Sequence, residues 1–187
     1  SLFGLYFPEN PQFKFWQIIT HMFMHGNIQH ILFNMFALWM FGSSVESIFG
    51  AKKFLFFYIT CGLGAAFIQI LFLYYVFCSN LDLLVSSGYD QSSVLNILAE
   101  GKYNTSWEDI LGSKGLLDFN SSFFSSMVGA SGAIMGVLVA FGMFFPDSKL
   151  MLIFLPIPIK AKYFIPGIIL LDLFSAITGQ AIFSPSN

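Results

Sequence analysis

Between Phe54 and Cys78 the chain reads FLFFYITCGLGAAFIQILFLYYVFC, without one Asp, Glu, Lys or Arg. A bilayer-crossing helix needs about 20 predominantly apolar residues, and this run supplies them without interruption. Three further stretches have the same character: Ile28–Ser44, Ser126–Phe145 and Tyr163–Phe183, the last interrupted by Asp172 and by glycine and proline. Charged residues are only 10% of the chain, which contains no arginine, against about 25% in soluble domains. So few charges cannot solvate a protein surface, and lipid must cover much of this one. The expected fold class is an all-α polytopic membrane protein with spans at about 28–44, 54–78, 126–145 and 163–183.

Lysines set the expected orientation. Lys52 and Lys53 follow the first span, and Lys149, Lys160 and Lys162 lie between the third and fourth. By the positive-inside rule these two short loops face the cytoplasm. The long segment 79–125 and both chain ends then lie outside, and the start of the third span opens toward the outer face. Segment 79–125 is too long for a bare loop. Within it, Val94–Ala99 and Trp107–Leu111 read as amphipathic turns suited to the membrane interface, and the whole reads as a passive insertion sooner than a substrate-contacting cap. The chain opens on SLFGLYF, without a basic leader, and closes on AIFSPSN; both ends read as cut.

The net charge of −2, with no basic cluster, excludes nucleic acid as a partner. Cys61 and Cys78 match no metal or disulfide pattern and read as packing residues. The triplets Asn104–Ser106 and Asn120–Ser122 fit the glycosylation pattern, relevant only in a secretory host.

Polar groups inside apolar spans are costly and usually have a partner or a task. Here they concentrate in HMFMHGNIQHILFN, residues 21–34. His30 and Asn34 share a helix face at four-residue spacing, and His21 and His25 repeat that spacing upstream. Three readings fit. A zinc site would use the histidines, but no His-Glu-x-x-His motif or neighbouring acid accompanies them. Interhelical polar contacts would use them structurally. The third reading joins them to Ser131 in VGASGAIMG, residues 128–136, where glycines flank a lone hydroxyl. Acyl transfer needs a nucleophile and donors aimed at the developing oxyanion, and Asn, His and a backbone N–H can all donate.

The segment THMFMHGNIQHILFNMFALWMFGSSVESIFG (20–50), the GASG at 129–132, and PIPIKAKYF with LDLF around Asp172 occur in an order that resembles the rhomboid intramembrane serine proteases. The resemblance runs from about Phe13 to Ser175 and is closest to bacterial members with an extended outer insertion. It implies a rhomboid-like helical bundle with about four of six core helices present. It also implies that Ser131 is the nucleophile and that His25 and Asn34, with the Ser131 backbone N–H, bind the oxyanion. His21 and His30 match supporting histidines, and Glu46 matches a glutamate that holds the inner end of its helix against neighbours. Family members use a Ser–His dyad whose base lies on the sixth helix. Every histidine of this chain precedes Ser131, so the base is expected beyond it and these 187 residues are expected to be inactive alone. Gly132, Gly136 and Ala140 then read as a small-residue groove awaiting that helix.

The implied function is cleavage of transmembrane protein substrates near the outer face of a bilayer, in a bacterial inner membrane, with no metal or organic cofactor. The other readings are a non-catalytic relative that binds membrane clients, and a transporter. For a transporter, Asp172 is the one acid well inside a span and lacks an evident cationic partner.

Overall fold

The computed structural model describes residues 2–152 and 155–178, which are mostly helical with one two-stranded hairpin. Their contacts group into two units, one joining the residues up to Met35 with Ile59–Ala133, the other joining Phe36–Tyr58 with the residues from Ile134 onward.

In the first unit a strap of irregular chain leads into the short helix α1 (Gln17–Thr20) and a 3-10 turn at His21–Phe23. Helix α2 (Ile28–Ala37) starts where Asn27 caps it, its side-chain oxygen accepting from the His30 N–H at 2.7 Å. A π turn at Leu38–Gly42 carries the same rod into α3 (Ser43–Phe49), a helical run of 22 residues in total. Gly50, at φ +74, ends α3 in a conformation that favours glycine, and α4 (Ala51–Ser86) begins at the next residue.

Helix α4 is 36 residues long, about 54 Å at 1.5 Å per residue, well beyond the roughly 30 Å of hydrocarbon in a bilayer. Its surplus length is the foundation of an aromatic core. Phe77, Leu81 and Leu84 on its last turns meet Val94 and Leu98 from α5 (Gln91–Ala99), Trp107, and Leu116, Phe119 and Phe123 from α6 (Glu108–Phe124). The Phe77 ring stacks on Phe119 at 5.1 Å and on Phe123 at 5.8 Å. Asp90 caps α5 by accepting from the Ser93 N–H at 2.9 Å. Val94, Leu98 and Trp107 are fully or almost fully buried in this core. Segment 79–125 is therefore packed, with Val94 and Leu98 of one amphipathic turn and Trp107 of the other turned into a protein core. Ser122 is buried with its hydroxyl donating to the Phe119 carbonyl, so the Asn120–Ser122 triplet is built into helix packing.

The third apolar run becomes helical only at α7 (Ser131–Phe144). Residues 126–130 approach it in non-helical form, because Met127 pairs in an antiparallel bridge with Leu5 of the strap. In the second unit Phe41 packs edge-on against Phe141, and Phe49 against Phe57 and Phe144. The antiparallel strands β1 (Lys149–Leu152) and β2 (Leu155–Lys160) follow, then α8 (Ala161–Thr178). Positions 179–183 of the expected fourth span lie outside the described residues. Many large apolar side chains on α2 and α4, among them Leu32, Phe56, Phe67 and Ile68, point outward, a surface that only lipid or another apolar partner would solvate.

Candidate active site

Ser131 is the first residue of α7 and is exposed. The backbone leading to it is tied twice. Leu5 and Met127 exchange hydrogen bonds of 2.9 and 2.8 Å, and the Gly129 N–H donates to the His21 carbonyl at 2.9 Å. Gly129 itself has φ +122, a conformation that side-chain-bearing residues rarely adopt. A methyl group there would lie 2.8 Å from His30 Cε1, 3.0 Å from His30 Nε2 and 3.8 Å from Ser131 Oγ. Glycine is thus required by backbone and by space, and the His30 imidazole and the Ser131 hydroxyl flank the same bare stretch of main chain. The His25 ring stands edge-on to His30 at 5.2 Å between centroids. Asn34 lies one helical turn beyond His30 on α2 and is almost fully buried.

The hydrogen-bond state of these groups separates them. Both ring nitrogens of His25 and the Nδ2 of Asn34 are buried without a partner among the described residues. Leaving such a group unpaired costs about 1–3 kcal/mol, and Trp107 Nε1 and Asn120 Oδ1 are likewise buried without a partner among the described residues. His21 is the opposite case. Its Nδ1 lies 2.9 Å from the Gln17 carbonyl, which can only accept, so Nδ1 carries the proton. Burial pushes the His21 pKa below its ordinary value, partly offset by backbone hydrogen bonds. Its ring borders a small cavity of about 40 Å³ shared with Met22, Gly62, Ala66 and Ser131.

Two features depart from the reading of the sequence. Gly132 does not wait for an absent helix, since a methyl there would come within 2.4 Å of Ala65 Cβ; α4 already occupies the start of the small-residue stripe, and Ala140 further along is buried. Glu46 is exposed, and its carboxylate has no ion-pair partner among the described residues, while its backbone carbonyl accepts from the Gly50 N–H at 2.7 Å.

Sequence reasoning missed Gln17, which is 1% exposed. Its Oε1 accepts from the backbone N–H of Tyr6 (3.4 Å) and Lys14 (3.0 Å), and its Nε2 donates to the carbonyls of Leu2 (3.4 Å) and Gln12 (3.0 Å). Gln17 thus fastens the strap that pairs with Met127, while its own carbonyl orients His21. Asn10 adds a second fastening, donating to the Phe123 carbonyl at 2.7 Å. The available signal was an amide inside the apolar run FWQIIT, which has to be satisfied somewhere if it is buried.

Two helical runs, Ile28–Phe49 and Ala51–Ser86, are long and apolar enough to cross a bilayer, and the mostly helical structure is of the helical membrane-bundle class. The chain belongs to the Rhomboid family: the model of the Rhomboid domain matches residues 12–89 and 91–186. It is 27% identical over 181 residues to the human presenilin-associated rhomboid-like protein, mitochondrial, covering 95% of this chain and 36% of that protein. Over 67 residues it is 36% identical to the rhomboid protease GlpG of Salmonella choleraesuis (strain SC-B67), covering 35% of this chain and 24% of the relative. Over 61 residues it is 33% identical to the rhomboid protease GluP of Bacillus subtilis (strain 168), covering 33% of this chain and 12% of the relative. The chain thus spans about a third or less of the length of these relatives. They include bacterial and mitochondrial proteins, and do not bear out a specifically bacterial origin. No solved structure gives a significant match.

Proposed function

We propose that this chain carries the nucleophile and the oxyanion donors of an intramembrane serine endopeptidase, whose substrates are transmembrane proteins. The observation that carries the reading is the set of unpaired buried donors, His25 and Asn34, in the same unit as a serine at the start of α7. In the proposed mechanism Ser131 Oγ attacks the scissile carbonyl. Negative charge then develops on the carbonyl oxygen, and Asn34 Nδ2, an N–H of His25 and the Ser131 backbone N–H donate to it. Fixed donors of this kind contribute about 10²–10³ each in turnover. The serine proton must pass to a base, and a serine hydroxyl is a weak nucleophile without one. The three histidines here all precede Ser131, with roles beside the oxyanion or in the backbone network, so the reading assigns the base to a histidine outside these residues. The apolar runs on α2–α3, α4, α7 and α8 cross the bilayer, and the lysine asymmetry supports a site opening toward the outer face. A substrate helix must unwind before its carbonyl can reach Ser131, which favours small or helix-breaking residues at the cleavage point.

The test is cleavage of a single-span substrate by the full-length protein in liposomes. Ser131→Ala is expected to abolish it, by analogy with the roughly 2 × 10⁶ loss in a soluble serine protease. Asn34→Ala and His25→Ala are expected to lower kcat by about 10²–10³ with smaller changes in KM. The 187-residue chain alone is expected not to cleave. Cleavage that survives Ser131→Ala would end the protease reading. Full-length protein that neither cuts nor labels with a fluorophosphonate, yet binds membrane clients, would establish the non-catalytic alternative.

A further inference from the structure

The hairpin that joins α7 to α8 concentrates charge in a way that packing does not require. Lys149 on β1 and Lys160 on β2 are direct cross-strand partners. Residues so paired project from the same face of the sheet, and like charges directly opposite destabilise it. One carboxylate serves the cluster: Asp147 lies 3.0 Å from the Lys160 ammonium and 2.9 Å from that of Lys162. Two backbone bonds hold the parts together, Ala161 N–H to the Ser148 carbonyl at 2.9 Å and Lys162 N–H to the Pro146 carbonyl at 3.1 Å. They fix the start of α8 against the turn that carries Asp147. Two of three exposed lysines therefore meet one exposed aspartate on a braced scaffold, and Lys149 has no carboxylate partner among the described residues.

Flanking the charge in the chain are exposed apolar side chains. The last residues of α7, Met143 and Phe144, are 76% and 41% exposed, and Tyr163 in the first turn of α8 is 67% exposed with the Lys162 ammonium 5.5 Å above its ring. Lysines bordering a band of exposed Met, Phe and Tyr at helix ends have the arrangement of a membrane–water boundary. A free anion would use only the ammonium groups and a soluble acidic protein would leave the apolar band uncovered. An amphiphile satisfies both.

We propose that Lys149, Lys160 and Lys162 bind the phosphate of an anionic phospholipid, whose acyl chains lie along Met143, Phe144 and Tyr163. Asp147 holds the lysines together in the empty state and competes with the phosphate for them. The bound phosphate relieves the repulsion between Lys149 and Lys160, so this lipid stabilises the hairpin and the start of α8.

The experiment is native mass spectrometry of the chain extracted from nanodiscs of phosphatidylcholine mixed with phosphatidylglycerol, with inorganic phosphate as a separate competitor. Wild type is expected to retain phosphatidylglycerol preferentially. Lys149→Gln and Lys162→Gln are each expected to weaken retention about fivefold, the effect of one basic residue near an anionic surface, and added salt to weaken it further. Asp147→Asn gives the sharper arm. It removes two ion pairs, yet is expected to strengthen retention because the competing carboxylate is gone. Lys149→Arg, which keeps the charge, should behave as wild type and controls for folding. Equal retention of the two lipids, or weaker retention in Asp147→Asn, would overturn the proposal. Displacement of the lipid by millimolar phosphate, with phosphate itself retained, would make this a free-anion site and overturn the lipid assignment.

Discussion

In the aromatic core, Phe7, Phe77, Trp107 and Phe119 are buried among rings and aliphatic chains. Before and on α2, half-buried His25 and buried Asn34 carry polar atoms that meet no partner among the described residues. Both regions belong to one unit, and they are joined. Phe7 lies in the core, 5.0 Å from the Phe77 ring and 6.2 Å from Phe123, and two residues earlier Leu5 pairs with Met127. The contrast shows a division of labour. Apolar packing supplies rigidity, and the strap ties that rigidity to the backbone ahead of Ser131 through Leu5 and Met127, while the unpaired polar atoms lie just before α2 and on it. Orphaned donors count against the folded state, so the packing around them has to offset that cost.

The largest test of that division is Phe119→Ala. Phe119 is fully buried, and truncating such a ring in a packed core costs about 3–5 kcal/mol. Phe119 is a cleaner choice than Trp107, whose buried indole N–H lacks a partner among the described residues and would confuse the result. Thermal unfolding in detergent should register the loss. Hydrogen exchange should then show faster exchange at the Met127 and Gly129 amides, well away in sequence from the substitution. A destabilised core with unchanged exchange at those amides would mean that the two regions are independent.

This coupling was largely hidden in the sequence. The apolar runs announce helices because nothing else accommodates them, and GASG with the spaced histidines puts forward Ser131, His25 and Asn34 as a candidate set. The aromatic core gave a poor signal: its residues come from the strap, the end of α4 and two short helices, with α6 kinked at Gly112 (φ +69). No single window there has a strong period, so Trp107 reads as an interfacial residue when its environment is in fact protein. Gln17 was hidden for a related reason. Its four partners, Leu2, Tyr6, Gln12 and Lys14, are backbone groups, and backbone groups carry no residue code. Gly132 was misread because a small residue shows that something packs closely, without showing which helix does so.

A smaller effect is expected from Gln17→Met, which keeps the length of the side chain and removes all four hydrogen bonds. The stranded amides and carbonyls of the strap should cost about 1–3 kcal/mol. Gln17→Glu keeps the acceptor for the Tyr6 and Lys14 amides but loses the donor to Leu2 and Gln12, so it should fall between Met and wild type. Exchange at Met127 and Gly129 should follow the same order. If Glu proves as harmful as Met, the donor half fastens the strap; if Met is silent, the aromatic core holds it without Gln17.

The smallest expected effect concerns pH and isolates the site from the core, which has no buried titrating group of this kind among its members. His21 is buried with its Nδ1 proton engaged by Gln17, and burial lowers its pKa from the ordinary 6.5. As pH falls through about 6.5 the unfolded chain takes up a proton that folded His21 still refuses, so the unfolded state gains. The stability contributed by neutral His21 is therefore complete above that value and declines below it, until the lowered folded pKa is reached. Unfolding of wild type and His21→Asn should be compared from about pH 7.5 to about pH 5.5. Asn retains a donor for Gln17 but does not titrate, so the variant should lose less stability on acidification. Because the His21 carbonyl holds the Gly129 amide, exchange at Gly129 should quicken in wild type over the same window while core amides of α6 stay protected. Equal acid sensitivity in the two proteins would place the titrating group elsewhere and leave His21 a purely geometric support for the backbone ahead of Ser131.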